Sequence, residues 1–170
     1  MNDLKKLTWS DIQSDLMTPQ EFKRKLNENP EKWKNYQNYE PERKTIKKIK
    51  KLLEKENQKL KIIAIGAEWC GDCAIQLPRM VKISEEFDKN IFEFYILYGV
   101  TVDAFHKKGK SKWHEKKSPP EATDPKFDLH AIPTIYIFNN EGRYLNRIIE
   151  KPSIKETLEQ ELLHLLNRTF

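Results

Sequence analysis

Cysteine is nearly absent from this chain: 170 residues contain two, Cys70 and Cys73, three positions apart. One bridge across so short a loop would constrain little of the unfolded chain. The sequence therefore lacks the disulfide framework of a small secreted domain. Long apolar runs are absent too. No stretch approaches the ~18 residues that a membrane span needs, and Met1 to Ser10 hold no continuous apolar segment to serve as a signal peptide. Both absences point to a soluble, cytoplasmic protein with no membrane partner. Histidine is sparse, and His106, His114, His130 and His164 show no paired spacing. A CxxC can be half of a zinc site, but zinc needs two more ligands and no second CxxC exists, so no metal is expected. No flavin or dinucleotide fingerprint appears, so electrons must come from another protein or from a thiol. In a reducing compartment, two cysteines at this spacing suggest redox cycling.

What is abundant is charge. Charged residues make up 34% of the chain against 38% hydrophobic, which predicts a modest core under a heavily charged surface. The net charge of +5 is local: residues 41–61 hold nine Lys or Arg against three Glu, and residues 106–117 hold six Lys against one Glu. Charge alone raises a nucleic-acid reading. Neither an aromatic-rich binding pattern nor zinc-finger spacing accompanies it, so the basic stretches read as a solvated helix face and a solvated loop.

Along the chain, Leu4 to Met17 reads as a short helix or a loosely packed arm. Thr18-Pro19-Gln20-Glu21 combines a capping box with proline at the first helical position, and that helix should end near Asn29-Pro30. Trp33, Tyr36 and Tyr39 form a stripe expected to dock their segment on the main domain. Pro41 to Asn57 is a helix with Ile46, Ile49, Leu52 and Leu53 on one side. Leu60 to Ala67 is a buried strand, Cys70 to Phe87 a helix kinked at Pro78, and Ile91 to Tyr98 a second strand. Residues 99–128 are irregular: a helical turn is expected over Thr101 to Lys108, an exposed loop at Ser118-Pro119-Pro120, and a short helix from Thr123-Asp124-Pro125 through Leu129. Thr134 to Phe138 and Arg143 to Ile149 form a hairpin around Asn139-Asn140-Glu141-Gly142. Ser153 with Glu156 is the expected capping box of a last helix bearing Leu158, Leu162, Leu165 and Leu166. This order predicts an α/β protein with a mixed four-stranded sheet and helices on both faces. It divides into an N-terminal helical extension (1–40) and a main domain (41–170) with a long 99–128 connection.

The segment Glu68-Trp69-Cys70-Gly71-Asp72-Cys73 follows a buried strand and opens a helix. A helix N-terminus offers unpaired amides and partial positive charge, both of which favour thiolate, so Cys70 should have a lowered pKa. Cys73 lies about one turn further in, facing Cys70, where it can resolve a mixed disulfide. Gly71 is expected to let the backbone turn sharply between the two, and Trp69 to cover the site with an apolar face.

Ala64-Ile65-Gly66-Ala67-Glu68-Trp69-Cys70-Gly71-Asp72-Cys73 resembles the active-site segment of thioredoxins, which usually read WCGPC. Pro78 matches that family's helix-kinking proline. Sixty residues later, Lys126 to Thr134 resembles the stretch leading into the family's cis-proline. Two motifs in the right order and context are stronger than either alone, and the resemblance spans roughly residues 43–168. It implies the thioredoxin fold, with Cys70 as attacking nucleophile and Cys73 as resolving thiol. It also implies a cis bond between Ile132 and Pro133, and a substrate-binding surface of Trp69, Gly71, Asp72, Ile132 and Pro133, with the Ile132 backbone pairing with an extended substrate. The cofactor is the Cys70–Cys73 redox pair itself. The partners are protein or small-molecule disulfides and an external thiol or protein electron donor.

Two departures stand out. The aspartate that thioredoxins commonly bury six residues before the first cysteine is Ala64 here, leaving water, Glu68 or Asp72 to carry the Cys73 proton. Asp72 replaces the usual proline and opposes the helix effect on Cys70, which predicts a reducing couple near thioredoxin's about −270 mV rather than DsbA's about −120 mV. The activity expected is dithiol–disulfide exchange. The competing reading is a non-catalytic binding or adaptor module on the same fold.

Overall fold

The computed structural model describes residues 3–170. Its sheet has four strands: β1 (Leu60–Ile65), β2 (Phe92–Leu97), β3 (Thr134–Phe138) and β4 (Tyr144–Ile149), in the order β2-β1-β3-β4. β1 and β2 run parallel, β3 lies antiparallel to β1, and β4 is antiparallel to β3. This mixed, helix-flanked sheet is the arrangement that the element order predicts, and the thioredoxin fold that the resemblance implies. The all-buried Ile62, Ile63, Ala64 and Ile65 put β1 at the centre.

The helices begin where their caps dictate. α1 (Pro19–Asn27) has the predicted capping box: Glu21 donates its backbone N–H to Thr18 Oγ1 at 3.2 Å, and Thr18 donates its own to Glu21 Oε1 at 3.3 Å. Phe22 and Leu26, one turn apart, supply its buried side. α2 (Pro30–Gln37) is capped by Asn29, whose side-chain amide oxygen Oδ1 accepts from the Glu31 and Lys32 backbone N–H groups. α3 (Arg43–Lys55) buries Ile46, Ile49 and Leu53. α4 (Gly71–Ser84) carries Pro78 in its interior, and α5 (Leu158–Thr169) buries Leu158, Leu162, Leu165 and Leu166. Trp33, Tyr36 and Tyr39 pack half-buried against the core, and the Tyr39 hydroxyl donates to the Glu159 carboxylate on α5.

The two faces of the sheet are covered differently. Strand alternation puts Phe92 and Ile62 on one face, Tyr95, Tyr136 and Phe138 on the other. Phe87, just after α4, stacks on Phe92 at 4.4 Å, and Lys50 of α3 lies 5.7 Å over the Phe87 ring. Arg79 of α4 stands over Tyr39, which reaches α5, so α3, α4 and α5 share this face. The opposite face, where a further helix was expected, is covered by irregular chain. Trp9 packs at 5.4 Å on Phe138 and 5.8 Å on Tyr95, and Phe127 at 5.6 Å on Tyr136.

Several local expectations are corrected there. Leu4 to Met17 forms two 3-10 turns (Asp3–Lys6 and Trp9–Asp11) with Leu4 and Leu7 buried, a tightly docked arm rather than a loose one. Thr101 to Lys108 is not helical: Val102 bridges Trp113, and Asp103 N–H reaches the Lys112 carbonyl at 2.7 Å. Ser118-Pro119-Pro120 is not a wholly exposed loop, because Ser118 is buried and its hydroxyl both accepts from the Thr101 N–H and donates to the Thr101 carbonyl. No helix forms from Thr123 to Leu129. Asp124 Oδ1 instead accepts from the Lys126 N–H, and Asp128 turns left-handed at φ 45°. The last helix starts at Leu158 under a Thr157 cap, not at Ser153. The Ser153 N–H is already taken by the Glu161 carboxylate, which also holds the N–H groups of Ile154 and Lys155.

Candidate active site

β1 delivers the chain to the N-terminus of α4, and Cys70 occupies the cap itself, with extended backbone at φ −81° and ψ 120°. Its sulfur accepts the Cys73 backbone N–H at 3.2 Å and lies 3.5 Å from the Ile132 carbonyl oxygen. The Ile132–Pro133 bond is cis. The two sequence motifs, sixty residues apart, thus meet at one sulfur. Both cysteines are free thiols; Cys70 is 7% exposed and Cys73 is fully buried at 0%.

Their environments differ in kind. The hydrogen bond between the two thiols is the largest influence on Cys70, and with the Cys73 and Asp72 backbone N–H groups it outweighs burial and the Asp72 charge. The Cys70 pKa falls to about 7. The same thiol–thiol bond, together with burial, pushes the Cys73 thiol far up. Cys70 therefore ionises first while Cys73 keeps its proton. The carboxylate of Asp72 acts against the Cys70 thiolate, as the sequence implied, but it ranks below the thiol–thiol hydrogen bond, burial and the Cys73 N–H.

The other residues named from sequence surround this pair unevenly. Trp69, next to Cys70 in the chain, is 59% exposed, with its indole N–H held by the Val100 carbonyl at 2.9 Å. Ile132 and Pro133 are buried at the site's edge. Gly71 is the first residue of α4 and has no positive φ, so no sharp turn depends on it. A Cβ there would meet nothing within 4 Å, which makes the space above it open. Ala64 is fully buried, and no acid occupies its position. Glu68 is exposed and lies 3.8 Å from Lys25.

Three residues that sequence reasoning passed over shape the site. A Cβ on Gly66 would stand 2.6 Å from Cys73 Sγ and 3.2 Å from a ring carbon of Tyr98. Gly66 is thus the glycine this site requires, and Tyr98 lies against the resolving cysteine. Burial first, then the charges of Cys73, Cys70 and Glu68, push the Tyr98 phenol upward. The third is Asn35 on α2. Pro78 has no N–H to give the carbonyl of Ala74, four residues earlier, and the Asn35 side-chain amide donates to that oxygen at 2.9 Å. A proline inside a helix is a signal that an orphaned carbonyl needs a donor, but nothing local says where the donor lies.

A family model described as thioredoxin matches residues 16–96. It begins within the N-terminal extension, includes both cysteines and stops before Pro133. No curated protein matches the chain. Among solved structures, the reduced thioredoxin pre-protein of Schistosoma mansoni is 19% identical, covers 72% of this chain and 90% of its own length, and superposes with a TM-score of 0.40. Fasciola hepatica thioredoxin is 19% identical, with coverage of 72% and 91% and a TM-score of 0.40. A Pseudomonas aeruginosa protein of unknown function is 15% identical, with coverage of 89% and 78% and a TM-score of 0.43.

Proposed function

We propose that this thioredoxin-like chain is a thiol–disulfide oxidoreductase that works through Cys70 and Cys73. The observation that carries this reading is the contrast between the two thiols. A cap-position thiol with a pKa of about 7 touches the cis-proline loop, and a fully buried partner one turn on stays protonated. Fold alone would not suffice, since one fold hosts many functions. A value near 7 is that of an active thioredoxin thiol, far from the about 3.5 of a strong oxidant such as DsbA, and it supports a reducing couple.

In the forward direction the Cys70 thiolate attacks one sulfur of a substrate disulfide. A mixed disulfide forms and the other substrate sulfur leaves as a thiolate, which takes a proton from water. Cys73 then gives up its proton to water or, through it, to the departing substrate sulfur, and its thiolate attacks Cys70 Sγ. The Cys70–Cys73 disulfide forms and the second substrate thiol departs. Two electrons pass from the dithiol to the substrate, so no bound cofactor is needed, and an external thiol or protein dithiol returns them. The open space above Gly71 admits the substrate, and the Ile132 backbone pairs with its extended chain. Asp72 borders this surface and Trp69 flanks it. The setting is a reducing compartment, the cytoplasm. No helix among the described residues is long and apolar enough to cross a membrane.

Insulin reduction driven by dithiothreitol tests the reading. Wild-type protein should turn over, Cys70→Ser should lose activity to background, and Cys73→Ser should accumulate substrate covalently bound at Cys70. A wild-type protein with no activity would leave the adaptor reading in its place.

A further inference from the structure

Between Thr101 and Ser118 the chain leaves the sheet and returns, and this excursion is stitched to the active site at both ends. At its start the Val100 carbonyl holds the Trp69 indole N–H at 2.9 Å. At its far side Trp113 is buried and donates its indole N–H to the Leu129 carbonyl at 2.6 Å, just upstream of the Ile132–Pro133 bond. The Val102–Trp113 bridge and the Asp103–Lys112 backbone bond close its base. Beyond that base everything from Ala104 to Lys112 is exposed, and Phe105 is 91% exposed.

The arm carries six lysines against Asp103 and Glu115. None of the six forms an ion pair among the described residues, although Lys112 lies 4.7 Å over the Trp113 ring. Under the arm runs a cleft of about 710 Å³, with His106, Lys110 and Lys112 on one wall and Leu129 and His130 on the other. Asp124 and Asp128 also line it: Asp128 is paired with Arg147 at 3.1 Å, while Asp124, whose Oδ1 accepts the Lys126 backbone N–H at 2.9 Å, keeps its negative charge. The cleft nonetheless carries Lys110 and Lys112 on its arm side, neither of them ion-paired among the described residues. It leads to the segment that ends at the site's cis-proline.

We propose that this arm and cleft dock an acidic, extended segment of a protein disulfide substrate, which sets the enzyme's preference for acidic protein disulfides over basic ones. The inference rests on the oxidoreductase reading and adds the substrate class to it. A chain pairing with the Ile132 backbone continues into the cleft, where the unpaired lysines meet its carboxylates and Phe105 offers an apolar contact. Charge of one sign beside a catalytic centre raises the encounter rate of oppositely charged partners and is screened by salt.

The test uses two disulfide peptides of equal length, one flanked by Glu and one by Lys. At low salt, kcat/KM for the acidic peptide should exceed that for the basic one by about tenfold or more. The ratio should approach one at high ionic strength. Lys107→Glu with Lys108→Glu and Lys110→Glu should reverse the order. A second measurement does not need turnover: the full chain with Cys70→Ser should bind a labelled acidic peptide more tightly than the basic one, again with salt dependence. Equal binding of the two peptides, a preference that survives the charge reversals, or tighter binding of an equally charged oligonucleotide would each overturn the proposal. If the acidic peptide binds preferentially but wild type reduces no disulfide, the docking surface stands and the oxidoreductase reading fails.

Discussion

Cys70 and Cys73 are chemically identical side chains on one helix turn, and their different reactivity comes from what each can reach. Cys70 receives a backbone N–H and the Cys73 thiol, while Cys73 is sealed from solvent. The rate of Cys70 alkylation by iodoacetamide should therefore rise through a midpoint near pH 7. Cys73→Ala removes the largest stabilising contact and should move that midpoint upward toward the ordinary thiol value, whereas Asp72→Asn removes an opposing charge and should move it downward. A profile that ignores both substitutions would show that the helix terminus alone controls the thiol. Gly66 makes a second residue-level prediction. An added methyl group would stand 2.6 Å from the fully buried Cys73 sulfur and force it or its neighbours to shift, so Gly66→Ala should cost about 1–3 kcal/mol in chemical denaturation. The cysteine spacing and the cis-proline context were legible in the sequence because they are local. The roles of Gly66 and Gly71 were not, because whether a glycine is needed depends on its neighbours in space.

Among the elements, α4 depends on α2. Its proline leaves the Ala74 carbonyl without an intrahelical donor, and Asn35 supplies one from another helix. Asn35→Ala should destabilise the protein by about 1 kcal/mol. In a Pro78→Ala background the helix regains its own N–H, so the same substitution should cost measurably less, and a double-mutant cycle in urea would show that coupling. Additivity of the two changes would mean that Asn35 acts elsewhere. The start of α1 could be read from Thr18 and Glu21 since a capping box spans four residues. The start of α5 could not: Ser153 and Glu156 carry the same pattern, but Glu161 folds back on Ser153, Ile154 and Lys155 and leaves Thr157 to cap.

In the whole molecule, one sheet face is closed by chain without regular helix, and Glu121 fastens it. Its carboxylate is almost fully buried at 1% exposure and accepts from the Gln13 and Ser14 N–H groups and the Ser14 hydroxyl. Burial pushes its pKa up, but these hydrogen bonds outweigh burial and hold it below the usual carboxylate range. A carboxyl lowered by folding contributes stability that is fully present above its unfolded pKa and is lost as pH falls through the folded one. Wild-type stability should therefore drop in acid, and Glu121→Gln should lose about 1–3 kcal/mol at neutral pH while showing a shallower acid dependence in urea titrations. By itself, the sequence determined the strands, most helix starts and the place of the two cysteines at the head of a helix, because each is written in a short pattern with its own period or cap, and its resemblance to thioredoxins pointed to the cis-proline. Only the tertiary structure decided what covers the second face, which glycine is indispensable and which residue repairs the proline. Those answers join positions as distant as the 108 residues between Gln13 and Glu121. A local pattern states what an element must bury or bond, and packing alone chooses the partner.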